Sequence, residues 1–304
     1  MSKEFWLGVV SLLIVIFGSI GNVLVIFSLR RQKKLVNKNH HYYLVLHLAI
    51  CDVACLLFTL PNIYTLFTGK LFAFSTIFCK IWSPVQTLFF IVEAQVMVLI
   101  SVVRLRAVFY PLRAPLRRRQ INAALGAAWI MATSCMGPFF SLLNYSPQFG
   151  CYTNWPGRTF KVAYTLFLAC VQYLIPLLLV SFAYYKIYFK IRQQSKQRKL
   201  LRASQASKGD FKKRTFFEKF KRDQNGRMLL VSCVIVICYA VSAFPFQCLG
   251  IIMTTDTAIL PVYHLVSYIF YLAGVCSVNP FIYKVLDTKV FKGIFKAFKG
   301  FTTP

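Results

Sequence analysis

The amino-acid sequence predicts an all-α membrane protein, a bundle of seven transmembrane helices with a short amphipathic helix after the seventh span. Three observations lead to this fold class. The chain has 304 residues and is 58% hydrophobic, which is more apolar surface than a soluble domain of this size tolerates. Long apolar segments follow one another along the whole sequence, and basic residues concentrate in alternate loops between them.

Each apolar segment is long enough to cross a bilayer. The hydrocarbon core is about 30 Å thick and a helix rises about 1.5 Å per residue, so about 20 residues are needed. The first segment is not a cleaved signal peptide, because its apolar run is too long and a basic cluster follows it between Arg30 and Lys34. The seven predicted spans are 5–29, 41–67, 76–109, 121–140, 161–190, 227–253 and 259–286.

The charges predict how the bundle is oriented. A net charge of +28 would ordinarily suggest a nucleic-acid partner, but the basic residues are segregated, so no such partner is expected. They lie in the loops after the first, third and fifth segments and in the tail, which places those regions in the cytoplasm and the N-terminus outside. The chain therefore divides into a bundle, 1–286, and a cytoplasmic amphipathic helix and tail, 287–304. The polar basic loop 192–226 is predicted to be flexible and to attract anionic membrane lipid.

Two of the ten cysteines differ from the rest, which mostly lie within apolar segments. Cys79 stands at the outer end of the third segment and Cys151 lies in the outer loop before the fifth. Both face an oxidising compartment, so a disulfide between them is expected. Asn144 begins a glycosylation sequon in the same loop, although Pro147 directly after the sequon lowers its expected use.

A series of short motifs, one for each segment, points to a family. Together they resemble the rhodopsin-like (class A) G-protein-coupled receptors over almost the whole chain, and the resemblance also implies the Cys79–Cys151 bond. The motifs are Gly21-Asn22-Val23, Leu48-Ala49-x-x-Asp52, Arg104 with Pro111-Leu112 beyond it, Trp129, Pro176 with Tyr184, Pro245, and Asn279-Pro280-x-x-Tyr283. We expect Asn279 to satisfy the carbonyl that Pro280 leaves without a partner.

The sequence departs from the family pattern at several positions that control activation in that family. Val103 stands where the family has an acid before its arginine, and Leu105 stands where it has a tyrosine. Ala243 replaces the tryptophan two residues before Pro245, and Asn225 replaces an acid often found near the inner end of the sixth segment. The usual resting-state ion pairs of the arginine therefore cannot form, which predicts raised basal activity.

The resemblance implies a ligand site in the outer half of the bundle. An amine receptor would carry an aspartate at Gln86, and a retinal protein would carry a lysine at Ala273, so neither subclass is expected. A peptide or lipid ligand remains, although packing and interhelical hydrogen bonding would also account for each residue singly. The predicted ligand-binding residues are Gln86, Thr87, Phe90, Gln172, Phe246 and Gln247.

The resemblance also implies an inner site and a polar network. A heterotrimeric G protein would contact Arg104, Tyr184 and Tyr283 after the helices part. The predicted network consists of Asn22, Asp52, Glu93 and Asn279, in which Asp52 matches the family's sodium-binding aspartate. Glu93 stands where the family usually has a serine facing that aspartate. Two carboxylates in one poorly solvated site cannot both ionise alone, so a proton or a bridging sodium ion is expected there. No other cofactor is expected.

Three function classes stay open from the sequence. The first is a ligand-activated receptor of the plasma membrane that is not itself an enzyme. The second is a transporter or channel, which would need paired discontinuous helices or an ion-lining series of charges. The third is a receptor-like protein without an agonist, constitutively active or heteromerising, which the departures at Val103 and Ala243 keep open.

Overall fold

A computed structural model describes residues 3–70, 75–148, 150–204, 211–255, 261–286 and 290. Seven of its helical stretches are long and apolar enough to cross a membrane, which confirms the predicted fold class. Their bounds are Lys3–Arg31, His40–Thr68, Thr76–Phe109, Arg118–Leu142, Arg158–Gln194, Leu230–Thr254 and Tyr263–Val285. We call them the first to the seventh span.

Several spans are built from more than one helix, and some helices run beyond them. The second span comprises His40–Leu57 and Leu60–Thr68, and a six-residue helix, Lys33–Lys38, precedes it. The fifth comprises Arg158–Ala169, a π-helical turn Cys170–Leu174, and Ile175–Ser204. The helix Phe211–Thr255 carries the sixth span. The seventh comprises Pro261–Leu272, a π-helical turn Ala273–Ser277, and Asn279–Leu286.

The basic segment 192–226, which was predicted to be a flexible loop, is helical up to Ser204 and from Phe211 onward. Helix continues to Ser204 and begins again at Phe211, so only 205–210 lies outside the described residues. The segment is rich in lysine, arginine and glutamine, which are good helix formers. The fifth and sixth helices therefore extend past the membrane into a stretch whose polarity suggested a loop.

The predicted amphipathic helix 287–304 lies outside the described residues except for Val290. Val290 is fully buried, and its carbonyl accepts a hydrogen bond from the Ser28 hydroxyl near the inner end of the first span. The chain thus returns to the first span directly after the seventh. Gly21 on the first span allows a close approach at this side of the bundle, since a Cβ there would lie 2.9 Å from Pro280.

The second span is interrupted at Phe58 and Thr59. Pro61 lies at the start of the following helix and has no backbone N–H, so regular helical bonding cannot continue through it. At the break, the Trp82 indole on the third span donates to the Phe58 carbonyl at 2.9 Å, and the Thr59 hydroxyl donates to the Cys55 carbonyl at 3.0 Å. The break turns the Thr59 side chain toward the middle of the bundle.

The outer loop between the fourth and fifth spans forms an antiparallel hairpin, Leu143–Ser146 with Gly150–Thr153, which the sequence did not predict. Gly150 adopts a φ of +68°, a conformation that glycine reaches without steric cost. A disulfide joins Cys151 to Cys79 at the start of the third span, which confirms the expected bond. We call the hairpin's side of the bundle outer, and that of Arg104 inner.

Candidate functional site

An outer cluster of polar and aromatic side chains joins the third, sixth and seventh spans and contacts the second. We define it by Gln86, Phe90, Phe246, His264, Tyr268 and Tyr271. Its polar centre is the amide of Gln86, whose Nε2 lies 2.5 Å from the Tyr268 hydroxyl and 3.1 Å from the Thr59 hydroxyl. Gln86 Nε2 also lies 3.3 Å from the Cys55 carbonyl. Three helices therefore meet at one amide.

The aromatic members of the outer cluster pack around Phe246. Its ring stacks on Tyr271 with centroids 5.3 Å apart and lies 5.6 Å from Tyr268 and 5.1 Å from the His264 ring. Phe90 meets the edge of Tyr271 at 4.8 Å. No aspartate, glutamate, lysine or arginine belongs to the cluster. It offers rings, an amide and hydroxyl groups, which suit a ligand with aromatic and amide groups better than a charged amine.

The other predicted ligand-binding residues are Gln172, Gln247 and Thr87, which do not belong to the cluster as defined. Gln172 is buried in the π-helical turn of the fifth span, and its backbone carbonyl accepts a hydrogen bond from Tyr239. Gln247 directly follows Phe246, and successive helical residues point about 100° apart, so the two cannot face the same space. Among the described residues, no hydrogen bond joins Gln247 to the cluster. Thr87, next to Gln86, is half-buried.

A central polar group lies inward of the outer cluster. We define it by Asp52, Cys55, Glu93, Cys276 and Asn279. Asp52 and Glu93 are 0% and 1% exposed, and their carboxyl groups contact each other. Asn279 Nδ2 donates to Asp52 Oδ2 at 3.0 Å. Asp52 Oδ1 and Glu93 Oε1 are buried, and no donor among the described residues reaches either oxygen.

Asn22 and Asn279 satisfy two carbonyls of the seventh span, in a different arrangement from the predicted one. Pro280 frees the carbonyl of Cys276, four residues earlier. Asn22 Nδ2 donates to that carbonyl at 2.7 Å, whereas Asn279 Nδ2 donates to the Val275 carbonyl at 2.9 Å. The prediction that Asn279 satisfies the freed carbonyl is therefore wrong. A π-helical turn brings Cys276 against the first span, and the sequence gives no direct signal for it.

Two of the three inner candidate residues line one small cavity, and the third lies beside it. Tyr184, Tyr283 and His41 all border it. Arg104 is half-buried and interacts electrostatically with both His41 and Tyr184, so it lies beside this cavity. The structure thus brings together the three residues predicted to contact a G protein. His41 is an addition at the start of the second span that no motif marked.

Several residues of these sites were missed from the sequence. His264, Tyr268 and Tyr271 recur at intervals of four and three residues, which is one face of a helix, so this pattern was available as a signal. Cys55 and Cys276 carried no such signal because cysteine within an apolar span reads as a small hydrophobe. Asn144 lies in the first hairpin strand, where its Nδ2 donates to the Leu142 carbonyl at 3.2 Å, and its glycosylation stays a prediction.

Comparison with known proteins decides the family. Residues 21–283 match the family described as "7 transmembrane receptor (rhodopsin family)". The chain belongs to this family. Squid rhodopsin has the same fold, with a TM-score of 0.82 over 99% of this chain and 86% of the rhodopsin chain, at 19% identity.

The sequence relatives include neuropeptide receptors and an adrenergic receptor. The chain is 28% identical to the neuropeptide F receptor of Drosophila melanogaster over 90% of its length, and spans 58% of that relative. It is 26% identical to the neuropeptide Y receptor type 2 of Gallus gallus, covering 94% of this chain and 73% of the relative. It is 30% identical to the alpha-1A adrenergic receptor of Rattus norvegicus, over 64% of this chain and 42% of that receptor.

Membership of this family fixes the broad class of function. The protein is a multi-pass receptor of the plasma membrane that acts in signalling, and it is not an enzyme.

Proposed function

We propose that this receptor responds to an extracellular peptide and passes the signal to a heterotrimeric G protein. The outer cluster carries the proposal, because it combines stacked aromatic rings with an amide and has no acid that would pair with an amine. The relatives with the broadest coverage of the chain are named for neuropeptide F and neuropeptide Y, which favours a peptide over a lipid. The adrenergic relative covers less of the chain.

A direct test measures G-protein dissociation in cells that express the full chain. Neuropeptide F and neuropeptide Y peptides, a lipid pool and biogenic amines are applied against each G-protein class. We expect a peptide response, and we expect Gln86→Ala to lower peptide potency roughly tenfold because a buried amide contact is worth about 1.4 kcal/mol. A response to lipids or amines alone, or no response at normal surface expression, would contradict the proposal.

Gln95→Ala is the matched control for Gln86→Ala. Gln95 lies on the same helix, but its Nε2 donates to the Val171 carbonyl of the fifth span at 3.3 Å and takes no part in the outer cluster. Potency in this variant should stay close to that of the wild type. Equal losses in the two variants would show that any polar contact of the third span supports signalling, and would remove the special role of Gln86.

The inner cavity supports the proposed coupling to a G protein. Arg104, Tyr184 and Tyr283 lie together where a parting of the fifth, sixth and seventh spans would admit an amphipathic helix. Val103 cannot supply the carboxylate that, in relatives, holds the arginine inward in the resting state. The resting state therefore loses one stabilising contact, and signalling without agonist is part of the proposal.

Restoring that carboxylate tests the basal activity. An ion pair at a half-buried site shifts a two-state balance by about 1–3 kcal/mol, or roughly five- to 150-fold in population. Val103→Asp should therefore reduce ligand-free G-protein activation. Val103→Asn introduces a side chain of the same size as aspartate but without its charge, and should reduce this activation much less. A silent wild type, or equal activity in the two variants, would contradict this part.

The paired carboxyl groups support a sodium-sensitive switch. Sodium prefers oxygen ligands, and the two buried oxygens without donors, Asp52 Oδ1 and Glu93 Oε1, fit that preference. Agonist potency should fall as sodium replaces a large organic cation in the medium, and Asp52→Asn should abolish that dependence. Identical sodium profiles for the wild type and Glu93→Ser would remove the role of the acidic pair.

A further inference from the structure

Two thiols meet a carboxyl group at the centre of the bundle. Cys55 Sγ on the second span, Cys276 Sγ on the seventh and a Glu93 carboxyl oxygen on the third all lie within 4.8 Å of one another. Cys276 Sγ lies 3.8 Å from Glu93 Oε2, and the two thiols are in contact. Cys55 and Cys276 are both 0% exposed. Three helices thus present three potential metal ligands to one point.

We propose that Cys55, Cys276 and Glu93 bind a thiophilic divalent metal ion of the class of Zn²⁺ and Cd²⁺. Thiolate and carboxylate ligands together are typical of this class, and hard cations such as sodium do not select thiols. In a tetrahedral zinc site, sulfur at about 2.3 Å and oxygen at about 2.0 Å from the metal lie about 3.5 Å apart. The observed separation of 3.8 Å between Cys276 Sγ and Glu93 Oε2 requires only a small adjustment.

The unpartnered carboxyl oxygens supply an independent reason for a cation here. Glu93 Oε1 is buried without a donor among the described residues, and so is Oδ1 of the adjoining Asp52. Asn279 Nδ2 donates to the other Asp52 oxygen at 3.0 Å and so fixes the orientation of the carboxyl group that adjoins the ligand Glu93.

Charge balance shows how the metal enters an apolar interior. The ion brings two positive charges and displaces one proton from each of the two thiols, so binding leaves the net charge of the buried group unchanged. Binding therefore releases protons and becomes weaker as pH falls. A sodium ion at Asp52 and Glu93 would involve neither thiol, so the two cations compete through the carboxyl groups and are distinguished by the cysteines.

The metal group adjoins the outer cluster. The Cys55 carbonyl lies 3.3 Å from Gln86 Nε2 and accepts the Thr59 hydroxyl at 3.0 Å, so the backbone of one metal ligand contacts the centre of that cluster. A metal that fixes the distance between Cys55 and Cys276 restrains the second span against the seventh. We therefore infer that the ion is an allosteric ligand of the receptor.

The test titrates Cd²⁺ into the purified, chelator-treated full chain in lipid nanodiscs. We expect one tightly bound ion per chain with the ultraviolet charge-transfer band of cadmium thiolate. Cys55→Ala and Cys276→Ala should lose that band, and Glu93→Gln should weaken binding at least tenfold, since even outer hydrogen-bond partners of a metal are worth 10–100-fold. Cys135→Ala, a buried cysteine on the fourth span, is the matched control and should bind as the wild type does.

Two outcomes would overturn the site. The first is an unchanged band in the Cys55→Ala/Cys276→Ala double variant, and the second is binding without any thiolate signature. If these variants fold poorly, the wild-type protein can be tested instead. Its cysteines are alkylated by a small maleimide with and without Cd²⁺, and peptide mapping identifies which cysteines have reacted. Cd²⁺ should protect Cys55 and Cys276 and leave Cys135 reactive, whereas no protection of the pair would remove the proposal.

Discussion

The outer cluster and the central polar group are neighbours with opposite hydrogen-bond balances. In the outer cluster Gln86 reaches the hydroxyl groups of both Tyr268 and Thr59, so its donors are used. In the central group Asp52 and Glu93 each keep one buried oxygen for which the described residues supply no donor. Tyr271 belongs to the outer cluster, but its hydroxyl also has no partner among the described residues and interacts electrostatically with Glu93, so this ring lies at the boundary between the two regions.

This difference separates two uses of polarity inside a membrane. A satisfied amide links helices and fixes their spacing, because breaking it would expose polar groups to an apolar interior. An unsatisfied carboxylate pair is costly by itself and lowers its energy only by gaining a proton or a cation. Substitutions in the two regions should therefore change stability with opposite signs.

The largest effect on stability should come from removing the disulfide on the outer side of the bundle. Cys151→Ser removes the bond to Cys79 that holds the hairpin against the third span, and loss of a native disulfide costs about 2–5 kcal/mol. We expect surface expression and peptide binding to be lost. Cys170→Ser, which changes a half-buried free cysteine, should be tolerated. Normal surface expression of Cys151→Ser would show that the bond does not stabilise the fold.

The next effect should be a gain in stability at the centre. Glu93→Gln removes one acid and supplies an amide donor beside the Asp52 carboxyl group, and satisfying a buried acceptor is worth about 1–3 kcal/mol. Thermal unfolding in sodium-free, chelator-containing buffer should therefore occur at a higher temperature than in the wild type. Gln95→Glu, which adds an acid on the same helix, should unfold at a lower temperature. A less stable Glu93→Gln variant would contradict the contrast between the two regions.

The smallest effect should be a loss of stability in the outer cluster. Tyr268→Phe deletes the hydroxyl that Gln86 contacts at 2.5 Å, which should cost about 0.5–1.5 kcal/mol. Tyr263→Phe makes the same change on the same span at a residue that is 60% exposed, and should leave thermal stability unchanged. Equal behaviour of the two variants would show that the Gln86 contact stabilises nothing.

Patterns of composition were sufficient for some features and insufficient for others. Hydrophobic length predicted seven spans, because the bilayer fixes the number of apolar residues that a helix needs. Cys79 and Cys151 were predicted as a pair because only they lay on the oxidising side. The outer hairpin was not predicted, since its four-residue strands are too short for an alternating pattern, and the helical extension to Ser204 was hidden by polarity.

The sequence by itself determined the bundle, the family motifs, and the placement of Gln86, Asp52 and Glu93 within it, because helical periodicity and membrane thickness act locally along the chain. Only the tertiary structure decided which further groups join the predicted carboxyl pair and which hydrogen bonds the polar groups make. The π-helical turn at Ala273–Ser277 changes the phase of the seventh span, so that Cys276 faces Glu93 and its carbonyl faces Asn22. That phase depends on packing between helices far apart in sequence, and a one-residue change in helical winding is not encoded in any local pattern.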